Sequence, residues 1–233
     1  MEKLIYVLGT DTAPAALRER LLRDVAPELE AAGGLDIEVF VRDVDPASLE
    51  GLWRQDLEGL LSALVSVWLP SVDACAGVEA PLRSLAEGDR FAGYLVAESL
   101  PREYEQRPAP PGARSPGVSF VSLLPKREGI DDETFYRNWH GSHTPLSLEI
   151  HPLTRYVRNS VLRPLTPGAP PHRAIVCESV PSVEHAVDPA LFYGGAENEK
   201  RAGTDIQTFA DFTTLSTDIM SEYLLKDGPW KPW

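Results

Sequence analysis

The chain has 233 residues, 43% of them apolar and 24% charged, and carries a formal net charge of −13. That composition belongs to water-soluble globular proteins, and the negative field excludes nucleic acid and anionic membrane surfaces as partners, since both need a positive patch. No apolar run reaches the roughly 20 residues of a membrane span, and the N-terminus lacks a signal h-region with a cleavage site, so the cytoplasm is the expected compartment.

The first half reads as alternating strands and helices. Leu4 to Leu8 is a short apolar run ending at Gly9, which predicts a buried strand. Thr12 and Pro14 then supply a capping oxygen and a first-turn proline. Leu17, Leu21, Val25 and Leu29 form one helical stripe that Gly33-Gly34 ends. Ile37, Val39 and Val41 alternate with Glu38, Phe40 and Arg42, as in a strand. A connecting helix is expected over 52–60, a strand over 64–69, a helix over 72–85 and a strand over 91–100. Residues 101–116 hold five prolines among polar residues without periodicity, which predicts a surface linker.

The same order restarts beyond it. Strands are expected over 118–124, 154–162 and 174–178, with a helix from Asp131 to about Ile150 between the first two. Helical segments follow within 182–212, and a last strand within 214–224. An offset of 118 residues carries Pro27 to Pro145, Leu17 to Phe135, Leu21 to Trp139 and Val25 to His143. With two residues inserted, Val41-Arg42-Asp43 falls on Val157-Arg158-Asn159. This predicts a degenerate tandem repeat with units 1–100 and 117–233, each a small four-stranded sheet with two helices on one face. The uncovered sheet faces would meet one another. Cys75 and Cys177 lie far apart with no Cys-x-x-Cys spacing, so two buried, reduced thiols are expected.

The stretch from Phe120 to Asn159 resembles the signature region of the EthD family. It shows Leu123-Leu124-Pro125-Lys126-Arg127, Gly129, Asp131-Asp132-Glu133, Phe135, Trp139, His143, Pro145 and Tyr156-Val157-Arg158-Asn159. The match is close over about 40 residues and loose over the rest of the second half, while the first half resembles the family only through the repeat. The resemblance implies an α+β chain of two ferredoxin-like (βαββαβ) halves, paired within one chain as a dimeric α/β barrel. Relatives in that broad superfamily include polyketide dehydratases and cyclases, cofactor-independent monooxygenases, muconolactone isomerases and some haem proteins. The resemblance therefore implies architecture more firmly than chemistry.

At about 100° per residue, Phe135, Trp139, His143, Leu146 and Ile150 share one helical arc, which puts His143 inside an apolar stripe. Pro145 cannot donate to the carbonyl of Gly141, so the helix should be disrupted beside the histidine. On the following strand Val157, Asn159 and Val161 share a face, and the apolar face is expected under the helix. That would let Asn159 meet His143. A neutral histidine among apolar walls suits general acid/base work. The same pair could equally satisfy itself as plain core, and a haem-ligating His143 is a third option. The first half has Val25 at the matching position, so a site is expected in the second half alone.

The expected pocket consists of Phe135, Trp139, His140 and Tyr156 around catalytic His143 and Asn159. Phe135 and Trp139 serve as core or wall, and Tyr156 as interface packing or a cavity hydroxyl. His140 and His143 find no third ligand at convincing spacing, so no metal is expected. Nucleotide-binding and serine-hydrolase motifs are absent, and no cofactor is expected. Lys126 and Arg127 either face solvent or steer an acidic substrate. The tail Trp230-Lys231-Pro232-Trp233 should dock on a partner or on the chain's own body. These residues fit an enzyme dehydrating, cyclising or isomerising a small hydrophobic molecule, aromatic or polyketide-like. They fit equally an accessory protein binding such a molecule, with homodimerisation of the chain left open.

Overall fold

The computed structural model describes residues 1–231. Its strands are β1 (Glu2–Leu8), β2 (Ile37–Val41), β3 (Ala63–Leu69), β4 (Phe91–Arg102), β5 (Val118–Pro125), β6 (Arg155–Pro164), β7 (His172–Val180) and β8 (Ser216–Lys226). They close into an antiparallel barrel in the order β1-β3-β2-β8-β5-β7-β6-β4. The first four lie as β4-β1-β3-β2 and the last four as β8-β5-β7-β6, the same relative order. Two seams, β2 with β8 and β4 with β6, join these groups.

Strand alternation sorts the side chains into an interior and two outer layers. Ile5, Val7, Phe40, Leu64, Val121, Val157, Ile175 and Met220 point inward and pack together. Leu4, Tyr6, Leu8, Val39 and Val65 point outward beneath the first helical layer. Val118, Tyr156, Val176, Val180 and Ile219 point outward beneath the second. A barrel so covered is apolar on both strand faces, which is why its strands read as near-continuous hydrophobic runs.

The first layer holds α1 (Pro14–Arg20), a π-helical turn (Leu21–Val25), α2 (Ala26–Ala31) and α3 (Cys75–Arg83). The second holds α4 (Asp132–Asn138), a π-helical turn (Trp139–His143), α5 (Thr144–Ile150), two short helices, α6 (Val183–Val187) and α7 (Pro189–Tyr193), and the longer α8 (Ala196–Ile206). The two π-turns sit 118 residues apart, each just before a helix carrying Pro27 or Pro145. A proline ring clashes with the carbonyl four residues back. The π-turn widens the helix there, and the N–H groups of Ala26 and Thr144 bond instead to Leu21 O and Trp139 O. The expected disruption at Pro145 is therefore a π-turn.

Residues 52–60 are a loop, not the expected helix. Gly51 and Gly59 both take positive φ (81° and 65°), and the Asp56 carboxylate accepts from Leu60 N (2.9 Å) and Leu61 N (3.0 Å). Such side-chain-to-backbone bonds compete directly with helix. Gln55 pairs with Thr217 through both backbone groups, and its amide donates to Phe212 O (2.8 Å). The loop thus crosses from β2 onto the second layer. The proline-rich stretch 101–116 runs along β8, with Ser115 N donating to Glu222 O (2.8 Å) and Gly112 N to Leu224 O (2.9 Å).

One barrel end is closed by charge. Arg155, 1% exposed, donates to Glu38 (2.6 Å), Glu222 (2.8 Å) and Glu103 (2.7 Å). Lys231 adds contacts to Glu38 and Glu103, both at 3.1 Å, and Trp230 sits edge-on against Trp68 at 5.1 Å. That part of the tail docks on its own chain; Pro232 and Trp233 lie outside the described residues. Cys177 is buried in the barrel and Cys75 is half-buried, both as free thiols. Among the described residues no helix is long and apolar enough to cross a membrane.

Candidate functional site

His143 ends the π-turn of the second layer. Asp131 starts this helix by accepting from Thr134 N (2.8 Å), and Asp132 and Glu133 sit on its positive end. The widened turn carries Trp139 into the core, 1% exposed, and leaves His143 at its edge. There Nδ1–H donates to Asp205 Oδ2 at 2.9 Å, and Ser142 Oγ–H donates to the other carboxylate oxygen. The bond from His143 holds the Asp205 carboxyl below the usual carboxylate range. An ionised Asp205 fixes the tautomer and leaves Nε2 of His143 as the free ring nitrogen. Nε2 has no hydrogen-bond partner among the described residues, and it is not sealed in the core.

The ring lines a half-enclosed cavity of about 360 Å³ between the second helical layer and the outer face of β5, β7 and β8. Phe120, Ser122, Glu178 and Thr217 form its floor, and Phe192, Tyr193 and Ile206 its wall. Leu52 and Trp53 reach in from the 42–62 loop of the first half. Trp53 meets Phe212 edge-on at 5.5 Å, and both rings are largely exposed. In the floor, Glu178 pairs across strands with Phe120 on one side and Tyr156 on the other. Burial pushes the Glu178 carboxyl up, opposed in part by His143. No protein group hydrogen-bonds to it among the described residues, so the carboxyl is open to a ligand.

Two further groups complete the lining. His151 Nδ1–H donates to Phe192 O at 3.1 Å, and burial brings its pKa down to about 4. The half-buried Tyr193 hydroxyl is pushed up by burial. The cavity thus combines aromatic walls with a carboxylate-held histidine, a carboxyl shifted toward its neutral form and a neutral histidine. Its lining includes no lysine or arginine.

Of the residues singled out from the sequence, only His143 lines this cavity. Asn159 does not meet it. Val157, Asn159 and Val161 face the barrel interior, where Asn159 Nδ2 donates to Ile175 O (3.1 Å) and Oδ1 has no partner. Tyr156 and Arg158 lie on the helix side: Tyr156 packs with Phe135 and Trp139, and Arg158 donates to Thr144 Oγ1 (2.8 Å) over the Trp139 ring. The face assignment was reversed because a doubly covered strand carries no one-sided polarity. Likewise Val41 turns outward and Val157 inward, so aligning these strands residue by residue is off in face.

Phe135 and Trp139 are core. His140 lies tilted against Trp139 (4.5 Å), its pKa brought to about 4 by burial and Arg158. Lys126 bonds Asp132 (2.8 Å) and Arg127 bonds Gln207 O, both away from the cavity. Asp205, Glu178, His151 and Tyr193 were not anticipated. For Glu178 a signal existed: it is the charged position in the alternating set Ala174, Val176, Glu178, Val180.

No family model and no curated protein matches this chain in sequence. Solved structures resemble it in fold. An anthrone oxidase-like protein aligns over 96% of this chain and 91% of its own at a TM-score of 0.60 with 12% identity. A candidate monooxygenase from Lactobacillus acidophilus aligns over 97% and 96% at a TM-score of 0.52 with 10% identity. Another from Fusobacterium nucleatum aligns over 97% and 92%, also at 0.52, with 7% identity. The chain is an α+β protein with the closed barrel of the dimeric α/β-barrel fold, completed here within one chain.

Proposed function

We propose that this protein is an enzyme that moves protons on a small, uncharged, aromatic or polyketide-like molecule, using His143 as base and Glu178 as acid. The observation that carries the reading is the His143–Asp205 pair opening Nε2 onto the same cavity as a carboxyl that burial favours in its protonated form. A ring nitrogen with a free lone pair and a carboxyl that burial shifts toward its neutral form, on one half-enclosed cavity, are the minimum for dehydration, cyclisation or isomerisation. In a dehydration, Nε2 takes the proton from the carbon next to the carbinol. The C–H electrons form the new double bond, and the C–O bond breaks. The departing hydroxyl leaves as water with the Glu178 proton. Glu178 then regains a proton from the histidine through solvent. Asp205 orients the imidazole and stabilises its charged form.

The anthrone oxidase-like neighbour is consistent with an aromatic, polyketide-type substrate. EthD membership is part of the same proposal, supported by the Phe120-to-Asn159 signature. So is an origin of the two halves by duplication of a ferredoxin-like unit, supported by the repeated strand order and the paired π-turns. The haem reading fits less well. Haem propionates need cations, and the cavity lining holds Glu178 and Glu199 and no lysine or arginine.

The test is a turnover screen of uncharged phenols and enolisable cyclic ketones, with His143→Ala and Glu178→Gln alongside the unmodified chain. Turnover by the wild type and its loss in both folded variants is expected. Turnover retained by His143→Ala would sink the assignment. Binding without turnover in all three would identify an accessory binding protein instead.

A further inference from the structure

The cavity contains a second histidine that the proton-transfer reading leaves unused. His151 follows α5, its backbone N–H bonded to Ser147 O at 2.9 Å. Its ring lies stacked on Phe192 with centroids 4.1 Å apart, and Tyr193 meets its edge at 5.2 Å. The partner of Nδ1 is a backbone carbonyl, Phe192 O at 3.1 Å. A carbonyl can only accept, so the proton sits on Nδ1 and Nε2 presents a lone pair. Nε2 makes no hydrogen bond among the described residues, yet it is not a sealed orphan, and the ring is part of the cavity lining. Burial keeps this imidazole neutral well below neutral pH, with a pKa of about 4. The ring is therefore an acceptor of fixed position and tautomer.

The groups around it point to what it accepts from. The acidic groups of the lining are Glu199 and the Glu178 carboxyl, which burial shifts toward its neutral form, and no lysine or arginine lines the cavity. A carboxylate or phosphate ligand would lose its hydration with no cation to compensate its charge. An uncharged ring bearing a hydroxyl would instead bury apolar surface along the aromatic wall and donate its O–H.

Building on the acid/base reading, we propose that His151 is the specificity residue of this site. Its Nε2 accepts a hydrogen bond from a hydroxyl on an uncharged aromatic substrate, in a cavity whose lining turns anions away. It holds the substrate, while His143 and Glu178 act on it.

Calorimetric titration of the full chain at neutral pH with 1-naphthol, 1-fluoronaphthalene and 1-naphthoate tests this. The first two share a shape and differ in the donor, and the third adds a negative charge. The wild type should bind naphthol roughly five- to tenfold more tightly than fluoronaphthalene, the contribution of one neutral hydrogen bond. Naphthoate should bind most weakly. His151→Phe keeps the stack on Phe192 and should erase the naphthol preference without weakening fluoronaphthalene. Tyr193→Phe should leave the preference intact. No preference in the wild type overturns the proposal while leaving the acid/base reading standing, and this comparison decides alone if His151→Phe does not fold. A preference that survives His151→Phe, or that disappears in Tyr193→Phe, also overturns it. Naphthoate binding as tightly as naphthol overturns the exclusion of anions. If none of the probes binds, the pocket reading and this inference fall together.

Discussion

The two helical layers outside the barrel begin alike and end differently. Each opens with a helix broken by a π-turn just before a proline. In the first layer the turn ends at Val25, 4% exposed within the core, and the single helix α3 closes the layer. In the second it ends at His143, and the space that one helix could fill is spanned by α6, α7 and α8. Caps at Ser182 and Asp188 and positive φ at Gly194 (72°) and Gly195 (144°) divide this stretch into two five-residue helices and the 11-residue α8. A cover broken into separate pieces lays no single continuous apolar ridge on the sheet, and the cavity lies beneath it. All five histidines of the chain fall in this second half. A shared scaffold thus becomes a candidate site through two changes: a polar side chain at the end of the π-turn and a looser cover.

The comparison breaks most sharply at the matched positions. His143→Ala should reduce turnover on a responsive substrate by about 10²–10⁴-fold, the usual contribution of a positioned acid or base. Val25→Ala should leave turnover alone and cost roughly 1–3 kcal/mol of stability through the cavity it opens. Steady-state kinetics and denaturant melts on both variants check this. Equal loss of activity in the two would mean that His143 matters only as packing. Asp205→Asn comes next, because it removes the negative partner while keeping a side chain of similar shape. A loss of about tenfold or more in kcat is expected, with KM little changed. An unchanged kcat would show that the carboxylate does not position the base.

How much of this was legible depends on what each residue type reveals alone. β2 was readable to within a residue, because Ile37, Val39 and Val41 alternate with Glu38, Phe40 and Arg42 and Gly34 precedes them. His143 was reachable because a titratable residue in an apolar helical stripe stands out. Asn159 was misplaced because both faces of β6 are buried, so alternation marks two faces without saying which is inner. Asp205 was out of reach: it lies 62 residues beyond its partner, near the end of α8, where nothing local marks an acidic residue as a histidine's partner. Glu178 could have been found from strand alternation, and it was passed over for the denser cluster on the helix.

Acid pH separates the layers without any substitution. His140 and His151, both in the second layer, are held near a pKa of about 4 against an unperturbed value near 6.5. A base whose folded pKa is depressed binds fewer protons in the native state. Its contribution to stability is full above about pH 6.5 and is lost as pH falls toward 4. The first layer has no histidine, so the second should open first. Hydrogen exchange at pH 7 and pH 5 should show protection falling in residues 139–151 and 183–206 and holding in residues 14–31. Equal loss in both would break the asymmetry. Asp36 at the barrel end runs the opposite way. Burial and then Glu38 raise its pKa to about 7, so the stability tied to its protonated form is lost as pH rises from about 4 through 7.

The smallest effect concerns the prolines. If each π-turn exists to clear the proline ring after it, then Pro27→Ala and Pro145→Ala restore the missing N–H and remove the clash. Both helices are then free to relax toward regular α geometry, with stability changing by no more than about 1 kcal/mol in either case. The functional consequences should differ. In the first layer only packed aliphatic groups shift, and turnover should stay as it is. In the second, closing the turn by one residue rotates His143 away from Asp205, which sits on a different helix and does not follow. Ligand titration and kinetics on the two variants should show weaker turnover for Pro145→Ala alone, with the imidazole Nδ1–H signal to Asp205 lost in its NMR spectrum. If Pro145→Ala keeps both turnover and that signal, the π-turn is held by packing of Trp139 and Thr144, and the proline only accompanies it.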